Sequence, residues 1–315
     1  MISLYVIVLA CTLYYLFTKY FRLKKVNTLG AKEVPMVKGA LPIVGHGFSF
    51  SKDIIGFIRK AKQEYGNIFQ IKIFRKKMVI CCDHNMKDEF FATTESDMSL
   101  YEVLTDLYFA DAFADDPATL PLIIQIVKQT IKVQFDVFAA KIVDEAGKMI
   151  ERMIKYPSDQ KIDLASEMIR FVACTSSRCF IAMDLHDDFF NVLMKFTNWV
   201  NRAVLLTYFF PKKLIRMVFN PLLHRYRMQI IGYLMPEIKK YRQDKTKKDS
   251  LVFRGAVDYV DKTTGRTLDD REIGEIIICL LYVSSENTAL GLSATIIDLT
   301  QNEKFWQMVK NESKK

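Results

Sequence analysis

The longest apolar pattern in the chain runs from Thr267 to Thr300. It opens with a helix-start signature: Thr267 is placed to cap, Asp270 follows three residues on, and Glu272 falls in the first turn. Ile276-Ile277-Ile278-Cys279-Leu280-Leu281-Tyr282-Val283 is then apolar on every side, which predicts a helix buried all round. Ala289, Leu290, Leu292, Ile296, Ile297 and Leu299 continue it without a proline, so one helix of about 50 Å, at 1.5 Å per residue, is expected. Between the halves stands Ser284-Ser285-Glu286-Asn287-Thr288. Polar groups inside a buried helix are costly unless they are hydrogen-bonded or serve chemistry. Three readings follow: a membrane span, against which a Glu at the bilayer centre weighs roughly 2.5–3.5 kcal/mol; a satisfied kink in a helical bundle; or a functional patch.

Patterns elsewhere predict a mainly α protein with one small β-hairpin. Residues 1–21 read as a membrane anchor, because Ile2 to Phe17 is almost wholly apolar and runs into Lys19, Arg22, Lys24 and Lys25. Positive charge after the apolar run places the rest of the chain in the cytoplasm. Residues 22–50 form a basic, Pro-Gly hinge, with Pro35, Gly39, Pro42 and Gly45 excluding helix. Residues 51–315 form the main domain. Asp53 to Tyr65 carries Ile54, Phe57, Ile58 and Ala61 on one helical face, Gly66-Asn67 turns, and Ile68–Phe74 pairs with Met78–Cys82 around Arg75-Lys76-Lys77. Asp83 opens a further helix. Tyr101 to Phe113 reads as an aromatic-rich irregular stretch, and Pro117 as the first turn of the next helix. Helices are expected over about 135–155, 163–182, 187–206 and 221–242, with Leu205–Arg216 a loop mixing aromatics and lysines. Lys239 to Lys248 reads as a solvated connection, and Phe305 and Trp306 belong to a last short helix.

Composition narrows the partners. Half of the 315 residues are hydrophobic and 12% aromatic, which excludes disorder. The net charge of +9 suits a membrane surface or an acidic partner, and no nucleic-acid-binding signature accompanies it. Cys11, Cys81, Cys82, Cys174, Cys179 and Cys279 lack the spacing of a secreted disulfide framework and read as reduced. His46, His84, His186 and His224 are scattered and make no metal-ligand pair.

The long helix with Val283-Ser284-Ser285-Glu286-Asn287-Thr288 resembles the distal helix of the cytochrome P-450 monooxygenases, whose pattern there is small-Gly-x-acid-Thr-Thr across the face of a haem. Anchor, proline-glycine hinge, helix-strand-strand opening and helical middle also occur in the order found in that family's microsomal members, over nearly the whole chain. The resemblance implies the N-terminal part of the cytochrome P-450 fold behind a single N-terminal transmembrane helix, at an endoplasmic-reticulum-type membrane. It implies a haem cofactor, a redox-partner reductase and an apolar, lipid-like substrate. The Tyr101–Phe113 stretch would fold over the distal pocket, and the Leu205–Arg216 loop would dip into the bilayer.

By the same resemblance Glu286 is the acid and Thr288 the hydroxyl that deliver protons, while Asn287 stands where the family has its first Thr. An amide hydrogen-bonds but relays a proton less readily than a hydroxyl. Where relatives place a Trp, His or Arg for a haem propionate, only Lys128 and Lys132 are cationic. Two further motifs of the family are not found in place. Glu167-Met168-Ile169-Arg170 has the letters of the Glu-x-x-Arg helix but precedes the long helix. None of the six cysteines stands in a Phe-x-x-Gly-x-x-x-Cys-x-Gly loop, whose thiolate holds the iron. The expectation is therefore a chain ending before its axial ligand and inactive alone; the alternatives are a non-enzymatic, membrane-bound helical binding protein or a gene remnant.

Overall fold

A computed structural model describes residues 33–315 except 75, 95, 117–118, 131–134, 158, 245–250, 262–264 and 314–315. The anchor expected over residues 1–21, and residues 22–32 of the hinge, lie outside the described residues. Among the described residues one helix, Asp270–Gln301, is long and apolar enough to cross a membrane, and half of its apolar window is buried against protein.

The chain divides into two compact units. The smaller, residues 1–100 with 205–211, contains α1 (Gly47–Lys52), α2 (Ile54–Tyr65), β1 (Ile68–Ile73), β2 (Lys76–Cys81) and α3 (Lys87–Ala92). The two strands pair antiparallel with Ile68 opposite Cys81 and Ile73 opposite Lys76. Asp53 caps α2 through the Gly56 N–H, and Asp83 caps the short 3-10 turn that leads into α3. The hinge residues pair with β1: the Val37 N–H donates to the Gln70 carbonyl at 2.9 Å, and the His46 N–H to the Lys72 carbonyl at 2.6 Å. Gly45 has φ +64, and a Cβ there would stand 2.2 Å from the Lys72 oxygen, so only glycine fits. Helix α1 begins at Gly47, directly after the Pro-Gly segment that ends at His46. Buried His46 bridges this layer, accepting from the Lys72 N–H at Nδ1 and donating from Nε2 to the Val37 carbonyl. Its role is structural.

The larger unit, residues 101–204 with 212–315, is all helical. In chain order it holds α4 (Leu100–Asp106), α5 (Phe109–Phe113), α6 (Thr119–Thr130), α7 (Phe135–Ile154), α8 (Leu164–Ile181), α9 (Asp187–Leu206), α10 (Lys212–Gln243), α11 (Leu251–Val257), α12 (Asp270–Gln301) and α13 (Glu303–Glu312). Tyr101–Phe113 is thus not irregular but two short helices joined at Tyr108, which takes a left-handed φ of 67°. For a bulky residue that conformation costs roughly 1–2 kcal/mol, so neighbours must hold it. The expected start at Pro221 is also corrected: α10 begins nine residues earlier and runs through Pro221 and Pro236. Each proline deprives the carbonyl four residues back of its N–H, but Met217 and Gly232 both face solvent, where water can serve.

Helix α12 is the axis of this unit, packed by α8, α10, α6, α11 and α5. Its cap is Asp269, not Thr267. Asp269 accepts from the Arg271 and Glu272 N–H groups while Glu272 reaches back to the Asp269 N–H at 3.0 Å, a complete capping box. Thr267 instead bridges Val260 in an isolated β-pair. Ile273 through Leu281 are all buried, as the sequence pattern predicts. Burial all round then ends. Ala289, Leu292 and Ile296 stay against Met168 and Val172 of α8, whereas Val283, Leu290 and Ile297 are about half exposed, at 45%, 56% and 45%.

Gly274 sets how closely α12 approaches α10, since a Cβ there would meet Ile231 Cγ1 at 2.7 Å. Gly274→Ala should therefore lower the unfolding free energy by about 1–3 kcal/mol through overpacking. Adding Ile231→Val should recover part of that loss in denaturant titrations. Equal melting of Gly274→Ala and wild type would contradict the close packing.

Candidate functional site

The polar patch of α12 lies where the helix passes from full burial to an open face. Ser284 and Ser285 do not project chemistry outward: both hydroxyls donate back to the Leu281 carbonyl, at 3.2 and 2.5 Å. Glu286 is held from α9, where the Asn201 side-chain amide donates to its Oε2 at 3.0 Å. The Tyr282 hydroxyl, one turn earlier, donates to Asn201 Oδ1. That bond fixes which way the amide points, leaving Nδ2 for Glu286. Burial, with the Glu286 carboxylate beside it, pushes the Tyr282 phenol well above the ordinary tyrosine range, so it stays a donor.

Asn287 and Thr288 follow on the exposed side of the helix. Aromatic rings close the site on its buried flank: Phe109 and Phe113 of α5 stand 5.6 and 4.9 Å from the Tyr282 ring, and Phe196 of α9 lies 5.5 Å from Phe113. The predicted Glu286 is therefore joined by two residues that sequence reasoning missed, Asn201 and Tyr282. Tyr282 was legible as part of the apolar run, but only the fold brings Asn201 to it across 81 residues.

The remaining candidates separate. Lys132 lies outside the described residues, as does the side chain of Lys128, which sits in α6. Glu167 accepts from the Tyr156 hydroxyl at 2.8 Å while Arg170 pairs with Asp187, so the two do not form the pair their letters suggest. No group of three or more metal-ligating side chains occurs among the described residues. Cys279 is buried inside α12 with its thiol pushed up to about 12 by desolvation, and burial likewise raises Cys174 and Cys179 in α8. These are packed neutral thiols.

Toward a flat, apolar cofactor the open side of α12 is well matched. Val283, Leu290 and Ala294 are exposed and small or apolar, and nothing stands within 4 Å of where a Gly291 Cβ would be. This open, apolar stretch of α12 is compatible with a flat hydrophobic group such as a haem lying against it.

The architecture is a helical bundle around one long central helix that carries a polar break at the edge of an open face. The chain belongs to the cytochrome P450 family, which matches residues 35–315. It is 49% identical over 282 residues to a probable lanosterol 14-alpha demethylase of Acanthamoeba polyphaga mimivirus, covering 89% of this chain and 40% of that relative. It is 22% identical over 296 residues to a sterol 14-demethylase of Arabidopsis thaliana, covering 89% of this chain and 57% of the relative. An obtusifoliol 14-alpha demethylase of Triticum aestivum is 22% identical over 294 residues, of which this chain covers 61%. The chain thus spans about two to three fifths of the length of these relatives.

Upstream on α12, Glu275 is buried between two guanidinium groups, with Arg227 and Arg271 each 3.4 Å from its Oε1. Desolvation outweighs both and raises its pKa to about 7. A carboxyl whose folded pKa is raised favours folding while protonated, and that contribution is lost as pH rises through the folded value. Stability should therefore fall between pH 4.5 and 7, by a total on the order of 3 kcal/mol, and level off above. Glu275→Gln should flatten that slope in denaturant titrations across the range. An unchanged slope would remove Glu275 as its source.

Proposed function

We propose that this chain forms the oxygen-facing side of the haem pocket of a membrane-bound sterol monooxygenase. The hydrogen bond between Asn201 and Glu286 carries this reading, because it positions a carboxylate at the boundary between a buried helix and an open, haem-compatible face. The printed names of the relatives supply the substrate class, a sterol carrying a 14-alpha methyl group. Bound haem supplies the dioxygen chemistry; this chain supplies binding, orientation and protons. Asn201 holds Glu286 Oε2, Tyr282 holds Asn201, and the Glu286 carboxyl and the exposed Thr288 hydroxyl are the groups offered for proton delivery. Asn287 beside it offers a hydrogen bond rather than a proton. Phe109, Phe113 and Phe196 pack behind Tyr282 and back the site with apolar side chains, in keeping with an apolar substrate. Lys128 and Lys132 are offered for the propionates. The net charge of +9 suits docking to an acidic electron-donating reductase and to an anionic membrane surface. Residues 1–21 anchor the domain at the cytoplasmic face of an endoplasmic-reticulum-type membrane.

Because none of the six cysteines stands in the family's Cys-loop pattern, residues 1–315 alone should give no thiolate-type Soret band in a reduced carbon monoxide difference spectrum. Such a band from this chain would overturn the assignment. In a chimaera completed with the remaining length of the mimivirus relative, Glu286→Gln should lower sterol turnover by about 100-fold while leaving the sterol-induced spectral shift in place. Unaltered turnover would remove Glu286 from the proton path. Carbonate extraction should leave the full chain in the membrane pellet and release a variant lacking residues 1–21; release of both would exclude the anchor.

A further inference from the structure

Helix α10 carries Lys212, Arg216, Asn220, His224 and Arg227 at intervals of four, four, four and three, so the five share one helical face. A cleft of about 340 Å³ lies along this face. Arg216, Asn220, His224 and Arg227 line it from α10, and Asp111 and Asp115 line it from the opposite wall. Hydrogen-bonding capacity in the cleft is lopsided: the acceptor atoms on α10 are in use, and several of the donors are not.

Asn220 accepts from the Tyr108 hydroxyl through Oδ1. Burial, with Asp111 beside it, pushes the Tyr108 phenol well above the ordinary tyrosine range, so it stays the donor and leaves Asn220 Nδ2 to donate elsewhere. The Arg227 and Arg271 guanidinium groups approach His224 Nδ1 at 3.4 and 3.5 Å, which makes that nitrogen the acceptor and puts a proton on Nε2. Arg216 Nε stands 3.7 Å from Asp111 Oδ1, beyond hydrogen-bond distance. Asp111 pairs more closely with Lys212 Nζ, at 2.5 Å, and Asp115 pairs with Arg227 and Arg271. Charge is uneven as well. Lys212, Arg216, Arg227 and Arg271 bring four positive groups to the cleft, against the carboxyls of Asp111, Asp115 and Glu275, the last partly protonated near neutrality.

We propose that this cleft is a binding site for a phosphate monoester, with the phosphate on the Arg216 guanidinium and the Asn220 amide, and the His224 Nε2–H on an oxygen of the esterified group. Arg216 to His224 spans about 12 Å of helix at 1.5 Å per residue, too long a row for orthophosphate alone and suited to a phosphate with a short oxygen-bearing tail. A guanidinium is the side chain best shaped to hold a phosphate, through paired N–H donors. Arg227 lies behind the row at 2% exposure, where water screens its charge little. A soluble phosphate ester and the headgroup of phosphatidic acid share this chemistry, and the test separates them. The site does not depend on the oxygenase reading.

Equilibrium dialysis of the detergent-solubilised full chain, with ionic strength held at about 0.15 M by sodium chloride, reads this without haem or turnover. Glycerol 3-phosphate should bind once per chain and severalfold more tightly than inorganic phosphate. Arg216→Gln should weaken both ligands by about tenfold. His224→Ala should weaken glycerol 3-phosphate and leave inorganic phosphate unchanged. Both substitutions fall at half-exposed side chains, so the fold should survive them, as denaturant titration will check. Asn220→Asp, which sets a carboxylate in the row, should abolish binding, and where it unfolds the chain the other two variants decide. Dihexanoyl phosphatidic acid binding more tightly than glycerol 3-phosphate would make a lipid headgroup the ligand; equal or weaker binding would make it a soluble ester. No binding of glycerol 3-phosphate by the wild-type chain, or binding that Arg216→Gln leaves unchanged, overturns the site.

Discussion

Burial of the first three turns of α12 on every side is the constraint from which the larger unit follows. Ile276, Ile277, Ile278 and Leu281 can be dry together only if helices cover every flank, and α6, α8, α10 and α11 do so. Such a position leaves no water for polar groups. Glu275 shows the consequence: it is seated between Arg227 and Arg271 and still ionises reluctantly, because two cations at 3.4 Å do not replace hydration. Arg227, itself 2% exposed, avoids isolation by reaching Asp115 and the Ala112 carbonyl as well. The charges that α12 buries are thus the ones that tie down residues 112–115.

Where α12 loses its cover, the chemistry of its sequence changes. From Tyr282 onward one face stays on α8 through Ala289, Leu292 and Ile296, while Val283, Leu290 and Ile297 look outward. An apolar stripe open to water is unfavourable by itself, and becomes favourable when a flat hydrophobic group or further protein lies against it. The polar break at residues 284–288 sits at this change. Two of its five members, Ser284 and Ser285, spend their hydroxyls on the helix's own backbone, so the free chemistry narrows to Glu286, Asn287 and Thr288.

Helix positions were readable because their signals are local. The boundaries of α9 and the capped start of α8 at Asp163 follow from amphipathic period and cap residues alone. Two local signals misled. Thr267 and Asp270 mimic a cap beside the true pair Asp269 and Glu272, two residues along. Pro221 mimics a helix start because proline suits a first turn, and accepting it splits the stripe from Lys212 to Arg227 between a loop and a helix. A correct α10 would have placed Lys212, Arg216, Asn220, His224 and Arg227 together on one helical face. What they pair with, and the meeting of Asn201 with Glu286, depend on how α9 and α10 lie against α12, and no periodicity within one helix carries that information.

The partner chosen for Glu286 bears on what the carboxyl can do. A lysine or arginine at Asn201 would hold it ionised, as a guanidinium does for Asp144, whose pKa is lowered mainly by its bond to Arg178. An acid there would drive one of the two to stay protonated. A neutral amide gives the carboxyl one hydrogen bond and brings no second charge beside it. The amide alone could rotate and offer its oxygen instead. Tyr282, a donor that burial keeps protonated, occupies that oxygen and removes the choice. Three side chains from two helices therefore fix one carboxyl orientation at the edge of the open face without a second charged group.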